Sequence, residues 1–222
     1  MKKLLRCLLV VTMLLSVSLS SVMALGSISK PGTITNWDAE DADKEAYELV
    51  WNEPKVEDVV RIPASERVPM GEVNRGEVSI KDHLKDVGLD DDLPKNTQSV
   101  ILIQEIRDLL YRNQETKEYK FIDDVTVTWE VPTLVEGMGD VYIYHYSDAT
   151  GKYELIKPIS VDYVNKTVTV FFGENGLGPV GVLIVKSSKK PVNTNAVDLG
   201  MMLSIISAGA GALYILTNKK EA

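Results

Sequence analysis

The chain has 222 residues and a formal net charge of −8, with 45% hydrophobic residues and one cysteine. An acidic surface disfavours nucleic acid and anionic lipid headgroups as partners. The lone Cys7 falls in the N-terminal apolar stretch, which rules out a disulfide framework, a thiolate metal site or a cysteine nucleophile in the rest of the chain.

Residues 1–24 read as a secretory signal peptide. Lys2, Lys3 and Arg6 form a positive start, residues 7–19 an apolar core, and Val22-Met23-Ala24 a small-residue ending that predicts cleavage after Ala24. Residues 25–75 read as an acidic leader. Within it, residues 36–58 carry many carboxylates, and Ala39, Ala42, Ala46, Leu49 and Val50 recur at three- and four-residue steps. This predicts a short amphipathic helix capped by Asn36. The stretch lacks the glycine and distal glutamate of an EF-hand loop. Pro63, Pro69, Gly71 and Gly76 predict turns joining short extended pieces over residues 59–78.

Residues 76–118 form a second segment, helical or irregular. Residues 80–87 predict a helix stopped by Gly88, followed by the charged turn Asp90-Asp91-Asp92. His83, among Lys81, Asp82, Lys85 and Asp86, is expected on a solvated face. Val100, Ile101, Leu102, Ile103, Ile106, Leu109 and Leu110 fit a helix face over residues 97–112 with Thr97 as its cap, while the run 100–103 taken alone also fits a strand; length and the continued spacing favour the helix.

From residue 119 the period changes to two. Val125, Val127, Trp129 and Val131 alternate with polar residues. Residues 141–146, 152–156, 167–172 and 180–185 are further strands, with a turn at 147–151. The fold class expected is mostly β: an antiparallel sandwich over residues 119–186, behind a short helical or irregular N-terminal part. A polar linker, 187–198, follows it. Residues 199–216 carry no charge and span about 27 Å as a helix, enough to cross a bilayer. Lys219 and Lys220 place the tail 217–222 on the cytoplasmic side.

Chemistry is sparse. Only His83 and His145 are available as histidine acid–base groups, and His145 sits inside a predicted strand. No phosphate loop, metalloprotease helix or dinucleotide fingerprint occurs, so no cofactor or metal is expected. Tyr142, Tyr144, Tyr146 and Tyr153 make up a candidate binding face on one hairpin, although half of such a strand faces the core and packing of alternate residues is the leading reading. The Asn165-Lys166-Thr167 sequon is read as coincidental.

Two resemblances extend this reading. YHY at 144–146, DATGKYE at 148–154, NKTVTV at 165–170 and GPVGV at 178–182 resemble an Ig-like β-sandwich module of Gram-positive, clostridial-type surface proteins. That resemblance covers roughly residues 120–186 and implies a fold and a surface setting, not an activity. The C-terminal end resembles a sortase sorting signal: PVNTN at 191–195, an apolar stretch, then a basic tail. It implies cleavage between Thr194 and Asn195 and attachment to the cell wall. Val192 departs from the pattern, standing where that motif has proline, so a plain single-pass membrane anchor is the alternative. The expectation is a non-enzymatic protein displayed outside the cell and acting in adhesion, ligand binding or envelope structure, with a protein or glycan ligand. The alternatives are a single-pass subunit of an envelope complex and a wall-active hydrolase.

Overall fold

The computed structural model describes residues 28–40 and 42–188. The expected signal peptide with its cleavage at Ala24, the expected sorting site at Thr194 and Asn195, and the apolar segment 199–216 lie outside these residues. Among the described residues no helix is long and apolar enough to cross a membrane.

Two antiparallel sheets make a sandwich. The first contains β1 (Ile34–Asp38), β4 (Val125–Glu130), β8 (Thr167–Phe172) and β7 (Ser160–Asp162), in the order β1-β4-β8-β7. The second contains β2 (Tyr47–Trp51), β3 (Thr97–Asn113), β9 (Pro179–Ser187), β5 (Asp140–Ser147) and β6 (Lys152–Ile156), in the order β2-β3-β9-β5-β6. Two helices, α1 (Ala64–Asn74) and α2 (Ile80–Asp86), complete the fold.

The strands expected after residue 119 are present at nearly the expected bounds. Their alternation has a direct cause: Val125, Val127 and Trp129 on β4 are fully buried while Thr126, Thr128 and Glu130 are not. The inward set meets Val168, Val170 and Phe172 of β8, and Ile143, Val180, Val182 and Ile184 across the sandwich. Each Å² of apolar surface buried in this interface favours the fold by ~25 cal/mol.

Three expectations are corrected. The helix expected over residues 36–58 is instead β1, a connecting loop and β2. Tyr47, Leu49 and Trp51 alternate along β2, which pairs with β3 from Tyr47↔Asn113 to Trp51↔Leu109. The helix expected over 97–112 is the long strand β3, with β9 on one side and β2 on the other. Both faces of β3 are covered, so it shows no clean alternation. The turns expected over 59–78 contain α1, despite its internal Pro69. Proline removes the bond to the carbonyl four residues back, and Ser65 there is exposed, where water can replace it. β1, β2 and β3 belong to the two sheets, so the sandwich draws on residues from 34 onward.

β3 also carries register shifts between Leu102 and Gln104 and between Gln104 and Arg107. They leave Gln104 fully buried, its Oε1 accepting from Trp129 Nε1 at 3.0 Å across the sandwich. The outer face of the five-stranded sheet is roofed by α1 and α2. Val56, Ile62, Met70, Val73, Ile80 and Leu84 pack on Leu102, Ile106, Tyr142, Tyr144 and Leu183. The α2 expectation holds well: Ser79 Oγ accepts from the Asp82 amide at 3.1 Å, and Gly88 turns the chain at φ +77°.

Candidate functional site

The candidate tyrosine face does not form an exposed surface. Tyr142, Tyr144 and Tyr146 share one side of β5 and are 5%, 0% and 3% exposed, beneath the helices. Tyr153, on the neighbouring β6, is half-buried and donates to Glu66 Oε2 of α1. The physical reason is the roof itself: the outer face of this sheet is a second core, and the tyrosines are its floor. Burial pushes the Tyr144 hydroxyl well above its ordinary range, and burial with the Glu66 hydrogen bond does the same for Tyr153.

His83 is likewise not on a solvated face. It lies with Ile80 and Leu84 on the sheet-facing stripe of α2 and is 3% exposed. Its Nε2 is 2.9 Å from the Tyr144 hydroxyl. Burial lowers its pKa, against the opposing charges of Asp86 and Glu66. His145 is packed within its strand as expected. Its Nδ1 is 2.7 Å from Glu154 Oε1 and its ring lies edge-on to Phe172, while Nε2 is buried without a hydrogen-bond partner. The hydrogen bond to His145 holds the Glu154 carboxyl below its usual range. Both histidines therefore brace packed layers. Asp90, Asp91 and Asp92 are exposed in a 3-10 turn. Among the described residues no group of three or more His, Cys, Asp or Glu is placed to hold a metal ion.

A concavity among the described residues lies elsewhere. It is a cleft of about 240 Å³ between Leu109, Leu110 and Tyr111 of β3, residues 119–122, the β5–β6 turn at Asp148 and Ala149, Leu177, and Arg61 ahead of α1. Arg61 is its central polar group. The guanidinium bridges the fully buried Asp108 and the partly exposed Asp148. Asn52 Nδ2 donates to the second Asp108 oxygen at 2.9 Å. Burial pushes the Asp108 carboxyl up, against the pull of Arg61 and Asn52. Such a pair fixes Arg61 in direction, because removing Arg61 leaves the buried Asp108 charge uncompensated.

One wall is aromatic. Tyr119 and Phe121 are 52% and 51% exposed, a large apolar area left in water. Arg61 lies 5.7 Å from the Tyr119 ring centroid. Lys120, between them, sits 5.5 Å over the Tyr47 ring, which stacks on Tyr111 at 4.7 Å. The Tyr111 hydroxyl accepts from the Asp43 amide at 2.9 Å, tying the loop before β2 to this end of the sandwich.

The cleft has a fixed place in the fold. β9 starts beside it, with Pro179 paired to Asp108, and ends at Ser187 paired to Thr97. Nine strand residues extend about 30 Å. The cleft and the point where the chain departs for its C-terminal segment are thus at opposite ends of the sandwich. Gly178 permits the start of β9: a Cβ there would meet the Tyr146 carbonyl oxygen at 2.2 Å.

Sequence reasoning missed Arg61, Asp108, Asp148, Tyr119 and Phe121. Arg61 and Asp148 are far apart in the chain, and no spacing rule joins them. The one available signal was two aromatics flanking Lys120 in a stretch otherwise read as a boundary.

No protein family matches the chain, and neither a curated protein nor a solved structure matches it significantly.

Proposed function

We propose that this chain is a non-enzymatic protein displayed on the cell surface. In this reading it is exported by residues 1–24 and held at the membrane or wall by its C-terminal end. It binds a ligand in the cleft between Arg61, Tyr119 and Phe121. The observation that carries the reading is the pair of half-exposed aromatic rings beside a fixed ion pair, at the end of the sandwich away from Ser187. The ordinary acid–base side chains support a binding role, since His83 and His145 are both engaged in packing contacts. Two antiparallel sheets of four and five strands are compatible with an Ig-like module, which we include in the proposal.

The test is to fractionate the producing cells after digestion of the wall, with mass spectrometry of the C-terminal peptide. A peptide ending at Thr194 and carrying wall fragments supports sortase anchoring. An intact Ala222 terminus in the membrane fraction supports a single-pass anchor. A soluble intracellular protein retaining residues 1–24 overturns the surface assignment.

A further inference from the structure

We propose that the cleft binds a neutral carbohydrate, taking one sugar ring of an oligosaccharide against Tyr119 and Phe121. This rests on the reading of the chain as a surface binding module and adds its ligand class.

Charge is the first argument. The cleft is lined by two cations, Arg61 and Lys120, and one carboxylate, Asp148, with the fully buried Asp108 carboxylate behind Arg61. Arg61 is shared between both carboxylates, so an acidic ligand finds little surplus positive charge, in a chain of net charge −8. A basic ligand finds both carboxylates already engaged.

Backbone pairing is the second. An extended peptide binds by adding a strand to a free sheet edge. Here β3 is paired on both sides: with β2 through Arg112↔Glu48, and with the returning chain through Asn113 N to Glu118 O at 2.9 Å and Lys120 N to Tyr111 O at 3.0 Å. The β3 edge is therefore closed to an added strand at the cleft, which favours a ligand held by side chains. At about 240 Å³ the cleft is smaller than a drug-sized pocket of roughly 300–1,000 Å³ and takes one compact ring.

The side chains match a sugar. Each hydroxyl both donates and accepts. The Arg61–Asp148 pair sets donors and an acceptor side by side, with 27% and 20% of the two side chains exposed. The C–H face of a pyranose is apolar and packs on an aromatic ring. Tyr119 and Phe121 present two such rings from one segment, above a floor that includes Leu109, Ile122 and Leu177.

The experiment titrates the full chain, in a non-glycosidic detergent, with cellotetraose, chitotetraose, an acidic tetragalacturonate and a neutral tetrapeptide, followed by calorimetry and saturation-transfer NMR. The expected result is saturable binding of a neutral tetrasaccharide. Tyr119→Ala and Phe121→Ala should each weaken it at least about tenfold, with thermal unfolding unchanged. A tenfold rise in salt should move the dissociation constant by less than about twofold. Binding of only the acidic sugar or only the peptide overturns the proposal. So does binding by either variant as tight as by the parent chain, or no binding by any sugar. Failure of every sugar removes the ligand class alone, because the surface assignment is decided separately by fractionation.

Discussion

The two faces of the five-stranded sheet are built on different principles. The inner face meets the other sheet through aliphatic and aromatic side chains, with one cross-sandwich hydrogen bond from Trp129 to Gln104. The outer face meets α1 and α2 through tyrosines whose hydroxyls are answered from the roof: Tyr144 by His83 and Tyr153 by Glu66. Apolar contact is non-directional and tolerates sliding. Hydrogen-bonded contact fixes a position. The roof is therefore held by apolar area with fixed direction added to it.

The largest effect is expected in the sandwich itself. Trp129→Ala removes a fully buried ring and leaves the Gln104 side chain without its partner. A loss of about 3–5 kcal/mol in urea unfolding is expected, across the whole domain. Next comes Leu84→Ala, which empties a fully buried site between α2 and the sheet at a cost of about 2–5 kcal/mol. Amide exchange should lose protection in residues 64–93 while β4 and β8 keep theirs. Equal loss in both would show that roof and sandwich unfold as one unit.

Tyr144→Phe keeps the ring and removes the bond to His83. It should cost about 1 kcal/mol, and again chiefly in the roof. The smallest effect is a pH dependence. Burial holds the His83 pKa below 6.5, so the folded chain resists a proton that the unfolded chain accepts. The stability tied to neutral His83 is fully present above 6.5 and is lost as pH falls from there toward the folded value. Comparing urea midpoints at about pH 7.5 and about pH 5.5, the parent chain should fall more than His83→Gln. An identical fall in both would mean that His83 is solvated in the folded state.

The same contrast governs what could be read from sequence. β4 and β8 each have one solvent-facing or half-buried side, so their residues alternate and their bounds are legible. β3 is a strand with two cores. Leu102 and Ile106 serve the roof while Ile103 and Leu109 serve the sandwich, and the resulting run carries a three-to-four spacing that imitates a helix. β2 was hidden because the alanines before it extend a helical spacing into Leu49 and Val50. α1 was hidden by Pro69 and Gly71. Gly71 is buried against Glu57, where a Cβ would meet the glutamate side chain at 2.7 Å. The cleft was illegible for another reason. Arg61, Asp108 and Asp148 come from three separate elements, and only the folded sheet brings them together.

One consequence of the strand order concerns time. β9, the last strand described, lies in the middle of the five-stranded sheet, between β3 and β5. β1 likewise waits for β4, to which it pairs through Trp37↔Val127. A chain emerging from its N-terminus can form hairpins such as β5–β6 early, but the larger sheet stays split until residues 179–187 arrive. Non-local closure of this kind is slow. A chain that stops short of residue 179 is thereby left with β2-β3 and β5-β6 as two unjoined pairs, so the larger sheet is completed only at the end of the domain, by topology alone.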